Sequence, residues 1–232
     1  EGVARALRAF TEQELGLIDY KINKSTTHMF VSPEVLGVRP FVLGGIVRGI
    51  KLDDAAIKCV MELQEKLHVT LGRKRKKVSI GIHDLAKVQG PFSYDVCSEH
   101  EPAFIPLQED HEMTPGEILK EHPKGIEYAH LLEEFKNFPI ITDANNEVVS
   151  LPPIINGALT TITEETTEVL IDVTGLDSDA VEACLNIVAA ALVERGGEIE
   201  QLEIKYPSES MICPDMEPKE YLIKNDYLTQ LL

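Results

Sequence analysis

The sequence predicts an α+β fold with mainly antiparallel sheets and several flanking helices. Segments with helical spacing are few and widely separated along the 232 residues. Between residues 139 and 175, strand-like segments follow one another across short turns, which is typical of antiparallel neighbours. Strands and helices do not alternate regularly, as they would in a doubly wound parallel sheet.

The first third of the chain predicts a helix, a strand and a second helix. The first helix covers residues 3–16, and a Val- and Ile-rich strand, interrupted by Gly44 and Gly45, covers residues 38–50. Asp53 or Asp54 can cap the second helix, in which apolar residues recur at helical spacing before Gly72 ends it. These apolar residues are Ile57, Val60, Met61, Leu67 and Leu71.

The next segments predict two strands and two short helices. Residues 76–85 alternate as a half-buried strand does and end in an exposed pair, His83–Asp84, and residues 90–96 form another strand. Thr114, followed by Pro115 and Glu117, is typical of a capped helix start. Pro123 and Gly125 end this helix, and residues 126–135 form the next one.

The last third predicts strands, one long helix and a proline-rich end. Strands are expected within residues 139–143, 147–157 and 168–175. Ser178 caps a helix whose inner face is Val181, Cys184, Leu185, Val188 and Leu192, and the Gly196–Gly197 pair ends it. Residues 197–207 alternate as a strand with one wet face. Prolines then prevent regular structure, so residues 1–206 are predicted to be one domain and residues 207–232 an extension or linker.

Composition limits the function classes. The net charge of −17 disfavours strong binding of a phosphate backbone by the domain as a whole. The one dense basic run, residues 73–77 (RKRKK), is either a solvated helix end or a phosphate contact, and the sequence supports both equally. No apolar stretch approaches the ~20 residues of a membrane helix, and the start does not follow the pattern of a signal peptide, so a cytoplasmic location is expected.

Cysteine and histidine spacing predicts no metal site. The four cysteines form no CxxC pair and are expected to be reduced thiols, with Cys59 and Cys184 on apolar helix faces. The histidines show no ligand spacing with the acids.

Several motifs resemble one family in both content and order. RPFVLGGIVRGI, LQEKLH, RKRKKVSIGIHDL, GPFSYDV, VVSLPPIING and VLIDVTG occur here in the order found in archaeal and eukaryotic phenylalanyl-tRNA synthetase beta subunits. The resemblance spans nearly the whole chain, and PPIING is its most specific part. It implies the fold of the editing domain of that subunit.

The resemblance implies an editing function, in which the domain hydrolyses tyrosine wrongly esterified to the phenylalanine tRNA. The partners would be the acceptor end of that tRNA, the alpha subunit and the remaining beta-subunit domains, in an assembly of two alpha and two beta chains. No cofactor is implied for editing, and ATP and Mg would act only in the intact synthetase, outside this chain. The alternative is a non-catalytic module of the same subunit that contacts tRNA or is structural.

Six residues are candidates for substrate binding. Strand alternation places Asp172 and Thr174 on one face, and the family resemblance puts the editing pocket at these two positions. Ser150 precedes the Pro152–Pro153 pair, which interrupts strand pairing and opens space for a ligand. Ile141, on the strand before the turn, would supply an apolar surface to the aromatic ring, and the PPIING match places Asn156 and Gly157 at the pocket rim. The competing interpretations are a solvated Asp, an ordinary strand Thr, a turn Ser and plain core or turn residues.

His83 is the candidate catalytic residue. Its segment resembles, more distantly, one of the bacterial branch whose histidine lies in the editing pocket, and a neutral imidazole could position or deprotonate water. Asp84 is not expected to orient it, because adjacent strand residues face opposite sides. A structural or exposed histidine is the competing interpretation. Arg73, Lys74 and Arg75 are the candidate tRNA-binding residues.

Overall fold

The structure, a computed structural model, describes residues 2–24, 26–218 and 220–231. They form two compact units, one of residues 1–20 and 215–232 and the other of residues 21–214. The first unit contains helices α1 (Gly2–Phe10) and α6 (Asn225–Leu231). The second unit contains the strands and all the candidate site residues. The division proposed at residues 206 and 207 stays a prediction.

The second unit contains four further helices and, within the described residues, an 11-stranded sheet. The helices are α2 (Asp54–Val69), α3 (Pro115–Glu121), α4 (Pro123–Tyr128) and α5 (Ser178–Val193). The strands are β1 (Ile22–Asn23), β2 (His28–Val31), β3 (Phe41–Arg48), β4 (Val78–Asp84), β5 (Phe92–Cys97), β6 (Phe138–Thr142), β7 (Val148–Leu151), β8 (Ile155–Asn156), β9 (Glu168–Gly175), β10 (Glu198–Lys205) and β11 (Ser210–Cys213).

The sheet is mixed, which corrects the expectation of mainly antiparallel sheets, while the α+β class with flanking helices is confirmed. Its order is β4-β9-β3-β10-β2-β5-β6-β7-β8, and β1 and β11 both pair with β10. β10 is parallel to β1 and β2, and β2 is parallel to β5. These strands are joined through long connections rather than hairpins, which permits parallel pairing.

Strands β4, β9 and β3, at one end of the strand order, form the part of the sheet that carries the site. β9 pairs antiparallel with both β3 and β4 along its whole length. Helix α5 packs on β3 and β9, and its predicted inner face is buried. Its N-cap is Asp177, whose side chain accepts a hydrogen bond from the amide of Ala180, so the predicted cap Ser178 is instead the first helical residue.

β4 is buried along its whole length, and this corrects the prediction of a half-buried strand with an exposed His83–Asp84 end. Helices α2 and α5 pack against the strand. The polar side chains at its end find partners at residues far along the chain: His83 contacts Thr160, and Asp84 accepts a hydrogen bond from Thr166. Alternation failed here because polar partners, not water, satisfy the polar positions.

Other differences concern the ends of elements. Helix α1 ends at Phe10 rather than residue 16. Helix α3 ends at Glu121, ahead of Pro123 as predicted, but α4 begins at Pro123 rather than at residue 126, because proline fits the first helical position and His122 caps it. The prediction that no regular element follows Tyr206 is wrong, since β11 pairs with β10 ahead of Pro214. The predicted caps Asp53 and Thr114 are confirmed.

Candidate functional site

A cavity of about 340 Å³ lies beside the β4–β9 pair. Helix α2 contributes one wall, and the segment from Ser150 to Ile162 contributes the opposite one. Ligand pockets of roughly 300–1,000 Å³ are typical of sites for small molecules. Half of the 24 lining residues have polar or charged side chains, and the other half are apolar residues and glycines. The cavity therefore suits a small ligand that combines an apolar part with several hydrogen-bonding groups.

Asp172 places a buried carboxylate on the cavity wall. It lies in β9 and is 2% exposed. Its Oδ2 is 2.6 Å from Nε2 of His83, which is fully buried. Only Oδ2 is engaged by another described residue, so Oδ1 is available to a ligand. An ionised carboxylate accepts hydrogen bonds but donates none, so Asp172 suits a ligand that brings a proton.

His83 uses both ring nitrogens within the protein. Nε2 contacts Asp172, and Nδ1 is 2.8 Å from Oγ1 of Thr160. His83 is not among the residues that line the cavity, whereas Asp172 and Thr160 are. The prediction that His83 acts on water stays a prediction, and this geometry favours an action through Asp172.

Ser150 contributes a hydroxyl without a partner. It lies in β7, is 2% exposed and lines the cavity. Among the described residues, its Oγ has no hydrogen-bond partner. A buried polar atom left unpaired costs about 1–3 kcal/mol, which a ligand could recover. Pro152 and Pro153 follow in the turn between β7 and β8 and also line the cavity, together with Asn156 and Gly157.

Thr174 lies on the same face of β9 as Asp172 but does not line the cavity. Its hydroxyl is 2.9 Å from Ser79, which does line it, and accepts a 2.9 Å hydrogen bond from Nε of Arg39. Ile141 is fully buried and pairs with Ser150 across β6 and β7, again without lining the cavity. Direct substrate contact by Thr174 or Ile141 stays a prediction.

Arg39 is a buried cation beside the site that the sequence did not indicate. Besides Thr174, its guanidinium donates to the carbonyl oxygens of Arg75 and Lys76. Burial lowers the pKa of Arg39 to about 10, and the charges of Tyr94 and Asp172 oppose this shift. The guanidinium therefore stays protonated at neutral pH and compensates the charge of Asp172. An isolated arginine between a valine and a proline gives no local signal for this role.

A second cluster of polar side chains, formed by Glu65, His68 and Arg75, borders the cavity. Arg75 donates to the Ile154 carbonyl at 2.8 Å and to Glu65 at 2.9 Å, and its guanidinium lies 4.5 Å from the ring of Tyr128. The amide of Ile80 donates to Nε2 of His68, which leaves Nδ1 of that ring facing Glu65 at 3.3 Å.

Within this cluster, the pKa values of Glu65 and His68 are both lowered. The hydrogen bond from His68 is the main cause that lowers the pKa of Glu65 to about 2, and Arg75 adds to it against the effect of burial. Burial lowers the pKa of His68. Glu65 is therefore a carboxylate and His68 a neutral ring at physiological pH.

Gln64 is a further lining residue that the sequence did not indicate. Its amide nitrogen donates to the Ile80 carbonyl at 2.7 Å, which fixes the side chain against β4. A glutamine within an otherwise apolar helix face was the available signal, because buried glutamines need specific partners.

The residues of the basic run 73–77 lie in different environments. Arg73, Lys74 and Arg75 have φ values of 47°, 54° and 65°, so the chain makes a left-handed turn. Arg73 and Lys74 are exposed, while Arg75 is buried at the cavity. A contact of these residues with tRNA stays a prediction.

The described residues show neither a membrane-spanning helix nor a cluster of metal-binding side chains. None of the helices within residues 2–24, 26–218 and 220–231 has the length and apolar character of a membrane span. In the same residues, histidines, cysteines and acids do not gather in threes around a point where a metal ion could bind.

Comparisons with known proteins agree on one family. The family described as "B3/4 domain" matches residues 47–205. The phenylalanine–tRNA ligase beta subunit of Methanosarcina acetivorans is 48% identical over 100% of this chain and 42% of its own length. Those of Archaeoglobus fulgidus and Methanocaldococcus jannaschii are each 45% identical over the same shares of both chains. The chain thus spans less than half of these relatives.

A solved structure extends the comparison to three dimensions. The crystal structure of an N-terminal fragment of the phenylalanyl-tRNA synthetase beta subunit from Pyrococcus horikoshii is 38% identical, with a TM-score of 0.96. The match covers 99% of this chain and 66% of that one.

The fold and the cavity define an α+β domain with a pocket of mixed polar and apolar lining at the β4–β9 pair. The chain belongs to the B3/4 domain family, in the form found in phenylalanine–tRNA ligase beta subunits.

Proposed function

We propose that this chain is a proofreading domain that hydrolyses tyrosine mis-esterified to the phenylalanine tRNA. The proposal is carried by two polar residues that line the same cavity. Oδ1 of Asp172 is bonded by none of the described residues, and Oγ of Ser150 has no hydrogen-bond partner among them. Both groups can bond a phenol hydroxyl, while the apolar lining accepts its ring.

Selection of tyrosine over phenylalanine follows from the cost of unpaired polar groups. An apolar synthetic site rejects an added hydroxyl by only about 10²-fold, so a second site must select for that hydroxyl. Phenylalanine in this cavity would leave Oδ1 of Asp172 and Oγ of Ser150 without a ligand partner and exclude water from them. Tyrosine would satisfy both.

In the proposed reaction, water adds to the carbonyl carbon of the ester, and the bond from that carbon to the ribose oxygen breaks. The proton from water passes to the ribose oxygen, which gives free tyrosine and an uncharged tRNA. The protein holds the amino acid in place and stabilises the developing oxyanion. His83 contributes through Asp172.

The proposed setting is the cytoplasmic ligase, with the alpha subunit, the remaining beta-subunit domains and the tRNA acceptor end as partners. Exposed Arg73 and Lys74 are the proposed phosphate contacts. Editing itself is proposed to need no cofactor, and ATP and Mg would serve aminoacylation outside this chain.

The test compares hydrolysis of tyrosyl and phenylalanyl esters of the phenylalanine tRNA by the complete ligase that contains this chain. We expect faster loss of tyrosine, and a preference that falls about 10- to 100-fold in Asp172→Ala, because a hydrogen bond to a charged group is lost. Asp95→Ala, at an exposed aspartate of β5, is the matched control. Equal, water-like loss of both esters from the wild type would favour the non-catalytic module instead.

A further inference from the structure

Three buried side chains form a continuous chain from the cavity rim to its carboxylate. Thr160 is 1% exposed, His83 is fully buried and Asp172 is 2% exposed. Their contacts are 2.8 Å between Thr160 Oγ1 and His83 Nδ1, and 2.6 Å between His83 Nε2 and Asp172 Oδ2. Thr160 follows Gly157 in a single turn of 3-10 helix, Ala158–Thr160, and is 77 residues from His83 in the sequence.

The protons available in this Thr160–His83–Asp172 series determine which group donates each hydrogen bond. An ionised Asp172 can only accept, so Nε2 of His83 carries a proton and donates it to Oδ2. In a neutral ring, Nδ1 then has no proton and must accept one from the Thr160 hydroxyl. Which ring nitrogen carries the proton is set by the hydrogen bond that the other nitrogen makes. The Asp172 carboxylate thus selects the Nε2–H form, and Thr160 holds the ring in that form by donating to Nδ1.

The Thr160 hydroxyl has one proton and two acceptors within reach. The Gly157 carbonyl is 3.2 Å away, compared with 2.8 Å for His83 Nδ1. The ring nitrogen is the closer partner, and a neutral ring that donates from Nε2 can bond Thr160 only by accepting its proton at Nδ1. No other described side chain reaches either nitrogen of the ring.

The consequence for the cavity is that Asp172 has one fixed and one available oxygen. Oδ2 is held by His83, which restrains the carboxylate and leaves Oδ1 for a ligand in the cavity that Asp172 lines. A carboxylate held in this way can accept one hydrogen bond from a ligand hydroxyl. It cannot rotate to satisfy itself when an unsubstituted ring is bound.

We propose that Thr160 is a positioning residue for selection of the substrate hydroxyl, which it controls by holding the His83 ring in the orientation that sets the acceptor geometry of Asp172. The proposal rests on the proposed function, because the selection concerns the tyrosyl and phenylalanyl esters that are the substrates of that reaction. It makes Thr160 a determinant of specificity even where its own side chain does not touch the phenol.

The kinetic test uses the ratio of tyrosyl to phenylalanyl ester hydrolysis by the complete ligase. Thr160→Val, which removes the hydroxyl at nearly constant volume, should lower this ratio about tenfold or more, because a buried hydrogen-bond partner is lost. Thr160→Ser keeps the hydroxyl and should retain most of the ratio. Thr70→Val, at an exposed threonine whose hydroxyl bonds only the Lys66 carbonyl, is the control and should leave the ratio unchanged.

A double-mutant comparison shows whether Thr160 acts through the ring. His83→Gln keeps an N–H donor but has no second ring nitrogen. Its ratio of tyrosyl to phenylalanyl ester hydrolysis should be lower than that of the wild type and serves as the reference for the double variant. Thr160→Val should add no further loss in that background, since coupled positions are not additive. An equal tenfold loss in both backgrounds, or no loss in the single variant, would overturn the proposal.

Nitrogen NMR of the ring separates this proposal from the proposed function. Wild-type His83 should show a protonated Nε2 and an unprotonated Nδ1 that accepts a hydrogen bond, and Thr160→Val should lose the signature of the accepting Nδ1. A wild type that hydrolyses neither ester yet keeps this signature would sink the proofreading function while leaving the relay intact. A signature that is the same in Thr160→Val would overturn the relay whatever the hydrolysis data.

Discussion

Gly81 lies directly opposite Asp172 where β4 pairs with β9, and it leaves room for the Asp172–His83 contact. A Cβ atom at Gly81 would overlap Oδ2 of Asp172 and Nε2 of His83. The φ of Gly81 lies outside the left-handed region, so glycine is needed here for space rather than for its backbone freedom.

Gly81→Ala is therefore expected to separate the carboxylate from the ring. Forcing an extra methyl into a packed site costs about 1–3 kcal/mol, and the preference for the tyrosyl ester should fall with it. Urea unfolding and ester hydrolysis measure the two effects. Gly37→Ala is the matched control, because a Cβ atom there meets no atom within 4 Å. A Gly81→Ala protein with wild-type stability and preference would contradict this account.

Ser150 and Ser79 should respond oppositely to the same substitution. Ser150→Ala removes a buried hydroxyl without a partner, so stability should stay equal or rise by about 1 kcal/mol, while tyrosine hydrolysis falls. Ser79→Ala removes a hydroxyl that contacts Thr174 and Arg39, and should cost about 1–3 kcal/mol. Denaturant unfolding of both variants gives the comparison. Equal destabilisation would mean that Ser150 has a partner in solution.

Local signals in the sequence predicted the helices and most strands. Asp53 and Thr114 were recognised as caps because a cap depends on residues only three positions away. The mixed sheet was missed, since the parallel contacts of β10 with β1 and β2 join opposite ends of the chain. Alternation within one strand carries no information about which distant strand lies beside it.

Four of the predicted substrate-binding residues, Ser150, Asn156, Gly157 and Asp172, line the cavity, but the sequence did not indicate their contacts. Alternation correctly placed Asp172 and Thr174 on one face of β9. The contact of His83 with Asp172 spans 89 residues, and no local pattern indicates it. His83 was expected to be exposed because histidine is polar, whereas Thr160 and Asp172 satisfy both of its nitrogens in the interior.

Stability should fall on acidification through Glu65 and His68. Both pKa values are lowered by folding, so the unfolded chain binds more protons and stability falls as pH falls. The contribution of Glu65 is present above its usual pKa of 4.5 and is lost as pH falls towards about 2. The contribution of His68 begins to fall below its usual 6.5.

Glu65→Gln isolates the carboxylate in this pH dependence. Unfolding free energies measured between pH 7 and pH 2 should fall less steeply below pH 4.5 in this variant than in the wild type. Glu62→Gln, at an exposed acid of the same helix that pairs with Lys66, is the control. Parallel curves for Glu65→Gln and the wild type would show that the His68 contact does not stabilise the carboxylate.

The left-handed turn at Arg73, Lys74 and Arg75 should carry backbone strain that glycine relieves. A non-glycine residue in this conformation costs roughly 1–2 kcal/mol, and Lys74 is exposed there with a φ of 54°. Lys74→Gly and Lys74→Ala remove the same charge, but only glycine relaxes the turn. We therefore expect Lys74→Gly to be about 1 kcal/mol more stable than Lys74→Ala by denaturant unfolding.

If Lys74 contacts a phosphate, both variants of the complete ligase should lose tRNA affinity equally, and the slope of log affinity against log salt should shrink by about 1. Equal stability of the two variants would refute the strain, and an unchanged salt slope in both would refute the phosphate contact, so the two measurements separate the role of the backbone from that of the charge.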